Sequence, residues 1–139
     1  MTSYIRSVAI AAILALALGA ALAQAASKPK SKGSYYSQNP YVEIAVSKSL
    51  KSVMLYVNCS SSGTSYWYSP PIPLRHGAFS YDKPALVDAS TGPPTTTTVL
   101  FTGQFKNGEF RGKVHIAGSG CPEKSYTTRY STGGGGSTG

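Results

Sequence analysis

The dipeptide Asn107-Gly108 restricts what this chain can fold into more than any other feature of it. Asn-Gly is the preferred centre of a two-residue type I′ turn, because both central residues must take positive φ. If Lys106 closes against Glu109, the register of the flanking strands follows residue by residue. Phe105 faces Phe110, Gly103 faces Gly112, Phe101 faces Val114 and Val99 faces Ile116, all on one side of the sheet. The other side carries Gln104 with Arg111, Thr102 with Lys113 and Leu100 with His115, polar apart from Leu100. A slip of one residue would bury Arg111 and Lys113, so patterning and turn chemistry select the same pairing.

The rest of the chain after residue 26 lacks helical periodicity and alternates instead. Val42, Ile44 and Val46 alternate with Glu43, Ala45 and Ser47; Val53, Leu55 and Val57 alternate with Met54, Tyr56 and Asn58, with Cys59 in the apolar phase. Segments 64–69, 78–81, 96–105, 109–117 and 125–130 bring the expected total to about seven strands. Turn clusters at 60–63, 69–73, 88–94 and 118–122 separate them, and Asp82-Lys83-Pro84 reads as a further turn. The expected fold is therefore all-β, a small antiparallel β-sandwich over residues 39–130. A small β-barrel is the alternative that the same alternation permits.

Gly103 facing Gly112 leaves a hollow in an otherwise bulky core face. Trp67 is the expected filler, and with Trp67 inside, Tyr66 and Tyr68 point outward. The rival reading packs both tyrosines inside and exposes Trp67.

The N-terminal region has the layout of a secretory signal peptide over residues 1–25. Arg6 supplies the positive start, an uncharged apolar run extends from Val8 to Leu22, and Ala21-Leu22-Ala23 and Ala23-Gln24-Ala25 offer small-x-small cleavage sites. The run is shorter than the ~20 residues of a spanning helix, so no membrane span is expected after cleavage. Export places Cys59 and Cys121 in an oxidising compartment, where a lone pair of cysteines forms a disulfide. Such a bridge would close a loop of roughly 60 residues and contribute about 4 kcal/mol in the chain-entropy model. Cysteines and histidines at 59, 76, 115 and 121 lack paired ligand spacing, so neither a metal site nor another cofactor is expected.

Losing Arg6 with the signal lowers the net charge from +8 to +7. Lys28, Lys30 and Lys32 lie among Ser and Gly, and residues 26–38 read as a flexible basic arm; residues 131–139 read as a disordered Gly/Ser/Thr tail. For an exported monomer the expected partners are anionic cell-wall polymers or glycans rather than nucleic acid. Tyr66 and Tyr68, as exposed aromatics, and Arg111 and Lys113, as exposed cations, are the candidate ligand-binding residues.

No catalytic set assembles along the chain, so a hydrolase is the least favoured reading. Glu43, Asp82, Asp88, Glu109 and Glu123 each have a structural explanation, His115 stands beside cations, and His76 lacks a nucleophile motif. The stiff segment Pro70-Pro71-Ile72-Pro73-Leu74-Arg75 could present Arg75 to a protease, which makes a secreted inhibitor a second alternative. Asn58-Cys59-Ser60 matches a glycosylation sequon in form only, since its cysteine is expected to be bridged.

Phe101-Thr102-Gly103-Gln104-Phe105, Asn107-Gly108, Gly112-Lys113-Val114-His115-Ile116 and the later Cys121 together resemble part of a known group. They are similar to the C-terminal half of small secreted β-sandwich domains of uncharacterised function from bacteria, especially actinobacteria. The resemblance covers about a third of the mature chain and implies a two-sheet sandwich with a cysteine before the final strand, without functional residues to carry over. The combined expectation is a secreted, non-catalytic β domain that binds cell-envelope polymers or glycans.

Overall fold

A computed structural model describes residues 28–59, 65–118 and 121–133. The expected signal peptide, the turn at 60–63 and the end of the expected tail lie outside these residues. The described chain forms ten strands: β1 (Ser34–Gln38), β2 (Tyr41–Val46), β3 (Ser52–Cys59), β4 (Ser65–Tyr68), β5 (Ile72–Pro73), β6 (Ala78–Ala89), β7 (Thr95–Lys106), β8 (Glu109–Ile116), β9 (Cys121–Thr127) and β10 (Arg129–Ser131). All pairings are antiparallel, in the order β10-β1-β2-β3-β4-β6-β7-β8-β9, with β5 added to β3.

This is one sheet nearly closed into a barrel, the second of the two expected architectures. Closure follows from chain continuity at Thr128. β9 runs along β8, β10 runs along β1, and Thr128 alone separates β9 from β10. Thr128 is fully buried; its N–H donates to the Phe110 carbonyl at 2.9 Å, and its hydroxyl accepts from the Phe110 N–H at 2.9 Å. One kinked strand thus serves two partners, and the sheet edges that a sandwich would leave are joined.

The Asn107-Gly108 hairpin has the expected register at every position, from Lys106 against Glu109 to Val99 against Ile116. Both turn residues have positive φ, 53° and 80°. The inward residues of β7 and β8 pack with Tyr35, Phe79 and Tyr126 into one aromatic core. Tyr35 meets Phe110 edge-on with centroids 5.0 Å apart, and Phe101 meets Tyr126 edge-on at 5.5 Å.

Four expectations change. The segment read as a flexible arm contains β1: Tyr35 is buried in the core, and its hydroxyl accepts the Lys30 N–H at 2.8 Å. Lys30 also places its ammonium 4.8 Å from the centre of the Tyr130 ring, and the Tyr130 hydroxyl donates to the Lys32 carbonyl. Charge and serine content obscured the one inward tyrosine that anchors this stretch. At the other end the fold runs past residue 130, since Ser131 pairs with Ser34.

Asp82-Lys83-Pro84 is not a turn but the middle of the twelve-residue β6. β4 pairs with β6 only at Asp88 and Ala89, so the other flank of β6 is an edge at Pro84, where a missing N–H costs nothing.

The hollow at Gly103 and Gly112 is filled, but not by Trp67. A Cβ on Gly103 would lie 2.4 Å from the Phe79 ring and 2.7 Å from the Tyr126 hydroxyl, whereas one on Gly112 would lie 1.8 Å from the Thr102 carbonyl oxygen. Phe79 and Tyr126 flank the glycines from β6 and β9, the strands paired with β7 and β8. Trp67 is inward as expected, with Tyr68 exposed, but it packs at a tilt against Tyr81 with centroids 4.7 Å apart. The disulfide joins Cys59 to Cys121 with Cα atoms 5.5 Å apart, tying the end of β3 to the start of β9.

Candidate functional site

Strand alternation and cross-strand register build the most distinctive outer surface of the barrel. On β1 to β4 the inward phase is Tyr35, Val42, Ile44, Val46, Val53, Leu55, Val57 and Trp67, all buried. The outward phase then assembles by pairing. Arg129 on β10 faces Tyr36, Tyr36 faces Glu43, Glu43 faces Tyr56 and Tyr56 faces Tyr68. A second row runs beside it through Gln38, Tyr41, Asn58 and Tyr66. At neighbouring strand spacings the first row extends roughly 19 Å from β10 to β4.

Five tyrosines therefore share one face with a carboxylate, two amides and a guanidinium. Their rings support one another: Tyr56 and Tyr68 have centroids 4.4 Å apart, and Tyr41 meets Tyr56 edge-on at 5.7 Å. Tyr68 stands 66% exposed, while Tyr36, Tyr41, Tyr56 and Tyr66 are half-buried, so ring faces are held firmly with part of each surface in solvent.

Two of these hydroxyls, those of Tyr41 and Tyr56, are shifted upward by their surroundings. Burial pushes Tyr41 above the ordinary tyrosine value, and the adjacent Glu43 carboxylate, which accepts its hydrogen bond, pushes it further. Burial likewise raises Tyr56, although a hydrogen bond from Asn58 opposes it. The Asn58 Oδ1 atom is buried without a hydrogen-bond partner among the described residues. The outward ring faces, with the exposed Gln38 amide and the Glu43 carboxylate beside them, combine apolar surface with hydrogen-bonding groups.

At the β10 end the face dips into a concavity of about 320 Å³ lined by Tyr36, Ser37, Gln38 and Arg129. The ion pairs of the described residues are Arg111 with Glu109 and Lys113 with Glu123, so Arg129 and Glu43 are both outside them.

The four residues singled out from sequence are not brought together. Tyr66 and Tyr68 lie on the tyrosine face, whereas Arg111 and Lys113 project from β8, beyond β6 and β7, each beside a carboxylate. The three other tyrosines were missed for different reasons. Tyr56 was legible as the outward neighbour of Leu55 and Val57, but Tyr41 and Tyr36 gain meaning only from the order of strands β1, β2 and β3.

No group of three or more His, Cys, Asp or Glu among the described residues could hold a metal ion, and no described helix is long and apolar enough to cross a membrane. His115 is tied through Nδ1 to the Cys121 carbonyl at 2.7 Å. The proline-rich segment is partly strand: Ile72 and Leu74 are buried, and Arg75 and Ala78 exchange two 2.9 Å backbone hydrogen bonds around His76-Gly77. Arg75 thus sits at a tight turn rather than in an extended stretch that a protease cleft could grip.

The chain matches no protein-family model, no curated protein and no solved structure.

Proposed function

We propose that this barrel is a non-catalytic, extracellular glycan-binding module whose ligand lies across the outer face of β1 to β4. The observation that carries the reading is the cross-strand row Tyr36, Glu43, Tyr56 and Tyr68, with Tyr41, Asn58 and Tyr66 alongside. Tyrosine rings at fixed positions supply stacking without ordering cost, and the interspersed amides and carboxylate supply direction. The disulfide and the apolar N-terminal run are consistent with work outside the cytoplasm, where cell-envelope polymers are the abundant sugars.

Cosedimentation of the protein, freed of residues 1–25, with insoluble polysaccharides and purified cell walls tests the proposal. We expect retention that largely survives added salt, because stacking is screened little. The Tyr56→Ala, Tyr68→Ala variant should bind at least tenfold more weakly, a change of about 1.4 kcal/mol spread over two rings. A variant that is folded by near-UV circular dichroism yet retained like the parent would overturn the proposal. So would self-association of the parent through this face, seen by sedimentation velocity and lost in the same variant.

A further inference from the structure

Across β10 and β1 to β4 the face carries one cation and one anion that stand outside the ion pairs of the described residues, with Asp88 of β6 facing Tyr66 at its far end. Arg129 stands on β10 at the rim of the concavity, with Tyr36 directly opposite on β1 and Gln38 two residues further along that strand. Glu43 stands on β2, directly opposite Tyr36 on its other side. All five acidic residues of the chain are among the described residues, and none forms an ion pair with Arg129. The two charges are thus separated by two strand spacings, roughly 10 Å, with one tyrosine ring between them.

We propose that the concavity beside Arg129 is a subsite for a single uronate unit, and that the module reads saccharides in which acidic and neutral sugars alternate. The proposal rests on the glycan reading above. A pyranose stacked on Tyr36 would direct the carboxylate on its ring carbon toward the neighbouring guanidinium, whose planar fork matches a carboxylate with two parallel hydrogen bonds. One guanidinium matches one negative charge. A phosphate dianion would call for several converging donors, and among the described lining residues only Gln38 and Tyr36 stand beside Arg129 with donors to offer, since the Ser37 hydroxyl donates to the Pro40 carbonyl at 2.5 Å. Glu43 sets the second condition. An acidic unit one position further along would meet that carboxylate and be repelled, whereas a neutral unit would present hydroxyl or amide N–H donors to it.

Calorimetric titration with three oligosaccharides of equal length tests the proposal: alternating glucuronate and N-acetylglucosamine, the same compound with its carboxyl groups reduced to alcohols, and oligogalacturonate. At physiological salt the alternating compound should bind at least tenfold more tightly than its carboxyl-reduced form, and more tightly than the uniformly acidic chain. In Arg129→Gln the ratio between the first two should fall to about one. Lys106→Gln, which removes the same charge at the distant hairpin, should keep the ratio of the parent. Equal affinity of the parent for the first two compounds would overturn the uronate subsite and leave the tyrosine face standing. Persistence of the preference in Arg129→Gln, or its loss in Lys106→Gln, would overturn the assignment to Arg129. Tighter binding of oligogalacturonate would remove the role given to Glu43. Failure of the parent to bind any of the three would count against both the subsite and the glycan reading on which it rests.

Discussion

The Tyr126 hydroxyl donates a 2.6 Å hydrogen bond to the Thr102 carbonyl, reaching from β9 past β8 to β7. The reach is possible because the residue opposite Tyr126 is Gly112, and the residue opposite Gly112 is Gly103. Two positions without side chains let one tyrosine lie over the sheet, and its ring replaces the packing they omit.

The two glycines differ in what they would tolerate. A methyl group on Gly112 meets backbone, the Thr102 carbonyl, whereas one on Gly103 meets the ends of the Phe79 and Tyr126 side chains. Gly112→Ala should therefore destabilise the fold by about 3 kcal/mol or more, and Gly103→Ala by about 1 to 3 kcal/mol. Urea unfolding of the two variants checks the order; equal losses would show that the strands yield as easily as the rings.

Alkaline pH should unfold the protein, and Tyr126 should contribute. Burial raises its hydroxyl well above the ordinary tyrosine value of about 10, so the folded state holds a proton that the unfolded chain releases. Stability from this source is complete below that pH and is lost as pH rises above it. Tyr126→Phe should lose about 1 kcal/mol at neutral pH through the missing hydrogen bond and show a shallower decline above pH ~10. Chemical denaturation at a series of pH values separates the two effects.

Closure at Thr128 has its own test. Thr128→Val keeps the shape but leaves the Phe110 N–H buried without its hydroxyl acceptor, at a cost of about 1 to 3 kcal/mol. Amide hydrogen exchange should quicken first at Phe110 and in β1 and β10; uniform quickening throughout the barrel would argue against a distinct seam.

Reduction of the disulfide should also be costly. The two cysteines are 62 residues apart, for which the chain-entropy model gives about 4 kcal/mol. The Cys59→Ser, Cys121→Ser variant should therefore melt at much lower temperature than the parent. Intact mass before and after reduction checks the bridge itself.

What could be read from sequence was what local chemistry determines. Asn107-Gly108 set a register that holds over eight residue pairs, and the inward phase of Cys59 anticipated its bridge. Most of the failures are questions of which distant strands become neighbours. Trp67 faces inward as expected, but which residue fills the glycine hollow depends on the placement of β6 and β9, and no periodicity encodes that. Tyr66 and Tyr68 were legible as exposed rings; the surface they complete exists only once Tyr36, Tyr41 and Tyr56 are brought beside them. Pro84 misled because proline breaks a strand only where its missing N–H is needed by a neighbour, and at Pro84 one flank of β6 has no strand partner.

The pairing of Ser34 with Ser131 places the beginning and end of the barrel in adjacent strands. A chain made or threaded from its N-terminus holds β1 unsatisfied on one side until residue 131 has emerged. Tyr35 has no complete pocket before then, because Phe105, Phe110 and Tyr130 all arrive late. Closure of the barrel therefore waits until residue 131 is available. Until then β1 keeps one open edge, a row of unpaired N–H and C=O groups that a strand from another molecule could occupy.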